Sequence, residues 1–370
     1  MEQASRQWWQ NVLAGPDGVF SDRTSENSSE GYAALPRPSD PRVLVDLECP
    51  QAMRDVLERM ASTRTSNSTV TVMAGSLSTV LSRRKPDWVV RSDGALGTLR
   101  EHLSNVLATD VRLSIAVGPP RPNRKPIVRC YAADELVAVA KLGPDPHTLA
   151  MVENEATWLS TFMETPLPNI ATPQVIHSGS YGESELLVMA PLDLIDDTGV
   201  PMRDMPMETL HCFVRERIQP EVTVAQTPWF RRLADRLGPD QWTSLAETVD
   251  RVLNDPVFGE LEVSAWHGDW SPWNTGQTSS GKLAIWDWER TTAGVPTGLD
   301  VLHLHYQYGS GFSGATLDLA SFGIPTSQHR MLEVLYLLEV CARHNEADAL
   351  QTDRHQQIRN SLRAAVDDWS

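Results

Sequence analysis

Across Trp266-His267-Gly268-Asp269-Trp270-Ser271-Pro272-Trp273-Asn274 and Ile285-Trp286-Asp287-Trp288-Glu289 the chain sets a carboxylate, an amide and a second carboxylate at restrictive spacings. Asp269 precedes Asn274 by five positions and Asp287 by eighteen. Oxygen donors of this kind, beside a carboxylate able to take or orient a proton, suit phosphoryl transfer, a reaction that asks mainly for positioning and charge neutralisation. One short polar loop carries the first two groups. The strand-like run Lys282-Leu283-Ala284-Ile285-Trp286 delivers the third.

This order, with Gly after the His and Asp-Trp-Glu after the strand, resembles the aminoglycoside phosphotransferase family of kinase-like enzymes, which phosphorylate small molecules. The resemblance covers roughly residues 110 to 310. It implies that Asp269 accepts or orients the substrate hydroxyl proton, that Asn274 and Asp287 hold Mg²⁺, and that His267 braces the loop. It also implies that Asp300, in Gly294-x-Pro296-x-x-x-Asp300, bonds back to the catalytic loop as a structural residue. Trp270, Trp273, Trp286 and Trp288 depart from the family pattern. They either stack on a flat or sugar-like acceptor or pack the lobe around the loop.

Upstream, Val111–Val117, Ile127–Tyr131 and Leu136–Lys141 read as three strands joined by turns, the pattern of a nucleotide-binding lobe. Period-two alternation puts Val137, Val139 and Lys141 on one face. In the following helix Met151, Glu155, Trp158 and Phe162 share one side while Glu153 lies on the other, so Glu155 is the expected partner for Lys141 over nucleotide phosphates. The run Glu185–Asp193 reads as a strand entering a hinge; by position, Met189 would face the base, and the Pro191 carbonyl and Leu192 N–H would hold it. Between Val117 and Ile127 there is one glycine and there are four prolines, which cannot donate an N–H. Arg121, Arg124 and Lys125 either contact phosphates by side chain or form a solvated basic turn.

The expected fold is α+β: a two-lobed protein-kinase-like fold with a small antiparallel-sheet N-lobe, a mostly helical C-lobe and an extra N-terminal α/β extension. Residues 1–40 read as a loosely ordered segment, 41–110 as the α/β extension, 111–192 as the nucleotide-binding N-lobe and hinge, and 193–370 as the helical C-lobe with the catalytic and metal-binding loops. Expected extension elements are strands at Arg42–Val45 and Thr69–Met73 and helices at Gln51–Ala61 and Leu96–Leu107. Expected C-lobe helices run near 207–218, 228–236, 239–253, 328–343 and 354–368.

Composition narrows the function classes. Lys+Arg 32 against Asp+Glu 48 gives a net charge of −16, which argues against nucleic acid and anionic membranes as partners. Apolar runs fall short of a membrane span, and the N-terminus has no secretory pattern, so a cytoplasmic protein is expected. Cys49, Cys130, Cys212 and Cys341 lie far apart, which suits buried thiols rather than a zinc knuckle or a disulfide framework.

The expected activity is ATP- or GTP-dependent, Mg²⁺-dependent phosphorylation of a hydroxyl on a small molecule. The acceptor is either an aminoglycoside-like antibiotic or a sugar, polyol or amino-alcohol metabolite. A cationic or polyhydroxylated acceptor fits the acidic chain, and Asp193, Asp196 and Asp197 are candidate contacts. A catalytically silent nucleotide-binding protein is the rival motivated by the phosphate loop. Protein phosphorylation is disfavoured, because the seventeen residues between Asp269 and Asp287 leave no long activation segment.

Overall fold

The computed structural model describes residues 2–14, 18–21, 30–62, 85–92, 96–118, 123–196, 222–308, 319–346 and 353–367. The chain forms two compact units, Met1–Ser160 with Pro173–Pro191, and Thr161–Thr172 with Leu192–Ser370. In chain order the strands are β1 (Gly18–Ser21), β2 (Glu30–Leu35), β3 (Val43–Asp46), β4 (Trp88–Ser92), β5 (Arg112–Val117), β6 (Pro126–Ala132), β7 (Glu135–Gly143) and β8 (Ile170–Ala171). They continue with β9 (Val175–Tyr181), β10 (Ser184–Met189), β11 (Leu194–Asp196), β12 (Val263–Trp266), β13 (Thr275–Thr278), β14 (Leu283–Ile285) and β15 (Thr292–Pro296).

The first unit is one sheet in the order β1-β4-β2-β3-β5-β6-β7-β10-β9, and every pairing is antiparallel. Alternation along the strands feeds two cores. Tyr32 and Ala34 of β2 join Trp9, Leu13, Leu103 and Val128 on one face, while Ala33 joins Val45, Met53 and Val56 on the other. Helices Glu2–Ala14 and Leu99–Leu107 supply the first core, and helix Pro50–Ser62 the second. A capping box starts Leu99–Leu107: Thr98 accepts from the Glu101 N–H, and the Glu101 carboxylate accepts from the Thr98 N–H at 2.8 Å.

The loosely ordered reading of residues 1–40 is corrected for their described part. Trp9, Val12 and Leu13 are fully buried, and β2 is flanked by β3 and β4. Their apolar content is sparse along the chain, but a sheet face already lined by other segments gives these few side chains somewhere to be buried. The extension is continuous with the three strands of the expected nucleotide-binding lobe, since β3 pairs with β5 through Val43↔Ala116, Leu44↔Ile115 and Val45↔Ser114. Without β3, β5 would present an unpaired edge. The expected strand Thr69–Met73 and helix 207–218 lie outside the described residues.

In the second unit, β11-β13-β14-β8 form a small sheet and β12 pairs with β15. Helix His329–Glu346 is the central strut: Met331, Leu332, Val334, Leu335 and Leu338 are buried, and it packs against Leu233–Asn254 and Asp353–Asp367. The expected break between 236 and 239 is present inside the long helix as Gly238, with φ 74° and ψ 162°, just before Pro239. No described helix is long and apolar enough to cross a membrane.

One close approach fixes the base of helix Pro146–Glu164 to the strand that carries Lys141. A Cβ on Gly143 would lie 2.5 Å from Leu149 Cα and 2.6 Å from the Thr148 carbonyl oxygen, so backbone must move to admit it. Gly143→Ala is expected to lower stability by about 1–3 kcal/mol, the usual cost of overpacking. Urea unfolding checks this, and a parent-like midpoint would reject the contact as a constraint.

Candidate active site

The loop that carries Asp269 begins where β12 ends at Trp266 and turns at Gly268 with φ +80°. Any side chain there would meet the Arg290 carbonyl oxygen at 2.6 Å, so glycine is required twice over. Two main-chain N–H groups freed by the turn are taken by one carboxylate: His267 N donates to Asp300 Oδ2 at 2.7 Å and Gly268 N to Asp300 Oδ1 at 3.0 Å. Asp300 sits in the first turn of helix Leu299–Tyr308 and is fully buried. Burial pushes its carboxyl up to about 7, opposed by the two N–H bonds and the Arg343 charge.

Arg343 holds the other side of the turn, donating from Nη1 to the Gly268 carbonyl at 2.6 Å with its guanidinium 4.5 Å over the Trp266 ring. Its Nε is bonded to Glu339 Oε1 at 2.8 Å. Glu339 also takes Arg236 in a two-pronged pair at 2.6 and 2.9 Å, and the Trp229 indole N–H at 2.8 Å. Burial alone would favour the neutral acid, but the Arg343 charge and then Arg236 outweigh it and hold Glu339 down at about 2.

Asp269 N donates to His267 Nδ1 at 3.1 Å, and His267 Nε2 donates to the Trp286 carbonyl at 3.1 Å. That pair of bonds assigns the neutral tautomer. Burial agrees, depressing the imidazole to about 4. His267 thus links the Gly268–Asp269 turn to the strand that leads to Asp287.

The Asp269 carboxylate is gripped at both oxygens. Asn274 Nδ2 donates to Oδ2 and to the Asp269 main-chain oxygen, both at 3.0 Å. His303 Nε2 donates to Oδ1 at 3.2 Å. Burial works against the charge on Asp269, but the His303 bond outweighs it and holds the carboxyl below its usual range. The side chain is 29% exposed. Asp287 takes a left-handed conformation, φ 69° and ψ 50°, just ahead of the short helix Trp288–Arg290, a backbone state that Asp tolerates better than most residues.

The tryptophans divide. Trp270 and Trp288 are core residues, and Trp288 packs edge-on against His267 and Phe162 while its indole N–H donates to the Ile285 carbonyl at 3.0 Å. Trp286 is partly buried, and Trp273 is 53% exposed.

In the first unit Lys141 Nζ lies 2.8 and 2.6 Å from the two carboxylate oxygens of Glu155, with both residues buried. Glu153 is exposed, as the helical-face argument requires. Met189 ends β10, paired with Val139 and Val175; Pro191 and Leu192, both partly buried, follow it. Arg124 is half-buried and stacked 5.1 Å over Trp8, and Lys125 is buried, so neither belongs to a fully solvated turn; Arg121 lies outside the described residues. Asp193 accepts from the Ser279 hydroxyl, which ties it to the β13–β14 turn. Asp197 and the Asp196 side chain lie outside the description, as does Cys212, while Cys49, Cys130 and Cys341 are buried thiols whose pKa burial raises.

No protein-family model and no curated protein matches this chain. Among solved structures, aminoglycoside phosphotransferase APH(4)-Ia superposes with a TM-score of 0.50 at 11% identity, covering 74% of this chain and 98% of that one. Choline kinase LicA from Streptococcus pneumoniae aligns at 0.42 and 13% identity, covering 73% and 96%. The streptomycin–ATP complex of APH(2")-IIa aligns at 0.43 and 14%, covering 70% and 96%. The likeness to APH(4)-Ia shows the fold: this chain has a kinase-like fold, with an antiparallel-sheet unit and a largely helical one.

Sequence reasoning missed His303, Arg343 and Glu339. No spacing links them to the loop, since His303 is 34 positions from Asp269 and Arg343 is 75 from Gly268. The only available signal was a buried-looking Glu and Arg four apart on one helix. Glu339→Gln is expected to cost about 3–5 kcal/mol at neutral pH, because it strands two arginines. An acid depressed from 4.5 to about 2 contributes stability that is present above 4.5 and lost as pH falls through that window. The gap between parent and variant in urea unfolding should therefore narrow as pH falls from 4.5 toward 2. A gap that stays constant across that range would place the effect elsewhere.

Proposed function

We propose that the protein is a phosphotransferase that moves the γ-phosphoryl group of ATP or GTP onto a hydroxyl of a small molecule. The observation that carries this is Asp269, a partly exposed carboxylate kept charged and held at both oxygens on a rigid loop. In the step it supports, the acceptor oxygen bonds to phosphorus and its proton passes to Asp269. The bond from phosphorus to the bridging oxygen breaks, and its electron pair leaves with the nucleoside diphosphate.

Asn274 and Asp287 fit Mg²⁺, which prefers hard oxygen donors. The Asn274 amide nitrogen is engaged by Asp269, so its carbonyl oxygen is the end left for a cation, and Asp287 supplies full charge. Mg²⁺ held there would neutralise phosphate oxygens as charge moves. Lys141, fixed by Glu155, is the proposed cation for the nucleotide phosphates, and Met189, Pro191 and Leu192 the proposed base-binding residues. The acceptor is proposed to be a cationic or polyhydroxylated compound, either an aminoglycoside-like antibiotic or a sugar, polyol or amino alcohol. The proline-rich loop 118–126, which has one glycine and four prolines without an N–H to donate, favours as second reading a protein that binds nucleotide without turning it over.

Asp269→Asn is expected to reduce phosphoryl transfer at least about a hundredfold while leaving nucleotide affinity near that of the parent. Product formation with Mg²⁺, nucleotide and a panel of hydroxylated antibiotics and metabolites, followed by mass spectrometry, is the test. Turnover near the parent level in folded Asp269→Asn would rule out the assignment, and a parent without Mg²⁺-dependent product would favour the silent reading. Asn274→Ala and Asp287→Ala should each raise the Mg²⁺ concentration for half-maximal rate, Asp287→Ala more, since it removes a charge. Magnesium titrations that overlay the parent would remove both from the metal site.

A further inference from the structure

We infer that His303, set by Tyr336, is a positioning residue for the phosphoryl-transfer step, an inference that rests on the function proposed above. The catalytic loop fixes only one oxygen of Asp269, through Asn274. Its other oxygen is held from outside the loop, by a chain of bonds running through two helices. His303 on helix Leu299–Tyr308 gives Nε2–H to Asp269 Oδ1 at 3.2 Å, and its Nδ1 lies 3.3 Å from the hydroxyl of Tyr336 on helix His329–Glu346.

The directions of these bonds determine one another. A charged carboxylate can only accept, so His303 Nε2 must carry a proton; a neutral ring then leaves Nδ1 as an acceptor, and the Tyr336 hydroxyl must donate to it. Burial lowers the imidazole below its usual range, opposed by the Asp269 bond and charge, in the direction this order requires. Tyr336 is held in turn: its ring stacks on Tyr306 at 5.2 Å with a 24° interplanar angle, and the Tyr306 hydroxyl donates to Glu333 at 2.5 Å. His303 and Tyr336 are 3% and 2% exposed, so the bond between them is shielded from water.

Asp300 gives the arrangement its economy. On one helix, Asp300 holds the loop's main chain and His303, three residues later and so on the same helical face, holds the loop's reactive side chain. The helix therefore sets both where the loop runs and which way Asp269 points. Without His303, Asp269 can rotate about Cα–Cβ, and the lone pair meant for the acceptor proton turns away from it.

His303→Leu is expected to lower kcat roughly ten- to a hundredfold, the scale of a small misplacement of a reacting group, with the KM for nucleotide within about twofold of the parent. His303→Gln can place an amide N–H near the former Nε2 and should recover much of that loss. Tyr336→Phe removes only the hydroxyl, keeps the ring packing, and should lower kcat several-fold. Combined with His303→Leu it should add nothing further. Thermal unfolding of each variant separates misfolding from mispositioning. Parent-like kcat in His303→Leu, a His303→Gln variant no better than His303→Leu, or an additive double variant would each overturn the inference while leaving the proposed function standing. Should His303→Leu not fold, Tyr336→Phe decides alone, with parent-like kcat counting against the inference. A parent with no Asp269-dependent turnover would remove the proposed function, and this inference with it.

Discussion

A loop that must carry an ionised side chain at a tight turn exposes main-chain N–H groups which, once buried, need partners. Asp300 supplies both partners, one oxygen to each of the His267 and Gly268 amides. The rest of the second unit's site depends on this grip. It requires Gly268 in a left-handed turn, because Arg290 backbone crowds the position of a Cβ. It also requires a counter-hold on the opposite side, which Arg343 provides through the Gly268 carbonyl. A buried carboxylate accepting two short bonds is costly to remove, since both amides would be left unsatisfied.

Charge is distributed around the loop so that one group keeps it at an accessible position. His267 and His303 are buried, which lowers both imidazoles, and each has one nitrogen donating and one accepting. Asp269, between them, stays ionised. Glu339 absorbs the charge of Arg236 and Arg343 away from Asp269. Trp266, Trp270 and Trp288 fill the space beneath, so the loop rests on rigid rings rather than on flexible aliphatic chains. Preorganised polar groups on a dry, packed base are the physical requirement for stabilising charge movement without rearrangement.

In the first unit the same economy takes another form. Lys141 and Glu155 satisfy each other in a buried pair, which alone would be weak support for stability. Their value lies in placing an ammonium on a strand whose position is set by neighbours on both sides. The N-terminal strands extend that sheet across β5, so residues that appear dispensable in the sequence close an edge of the scaffold carrying Lys141.

The types and order of the candidate site groups were legible along the chain because they obey short-range rules. The Asp269–Asn274 spacing defines a loop, alternation places Lys141, and the four-three-four spacing of Met151, Glu155, Trp158 and Phe162 turns Glu155 inward, away from Glu153. Several element types were readable for the same reason, among them the strands carrying Val45, Ile115, Val128 and Lys141 and the helices His329–Glu346 and Asp353–Asp367, with boundaries shifted by a few residues. What tertiary structure alone decided is which distant residues complete those groups. His303 and Tyr336 orient Asp269, Arg343 and Glu339 brace Gly268, Arg124 turns onto Trp8, and residues 30–35 join the sheet. These are contacts between segments tens of residues apart, made by polar groups that had to find partners once buried. A linear sequence states that such groups exist, whereas only the folded packing brings each to its partner.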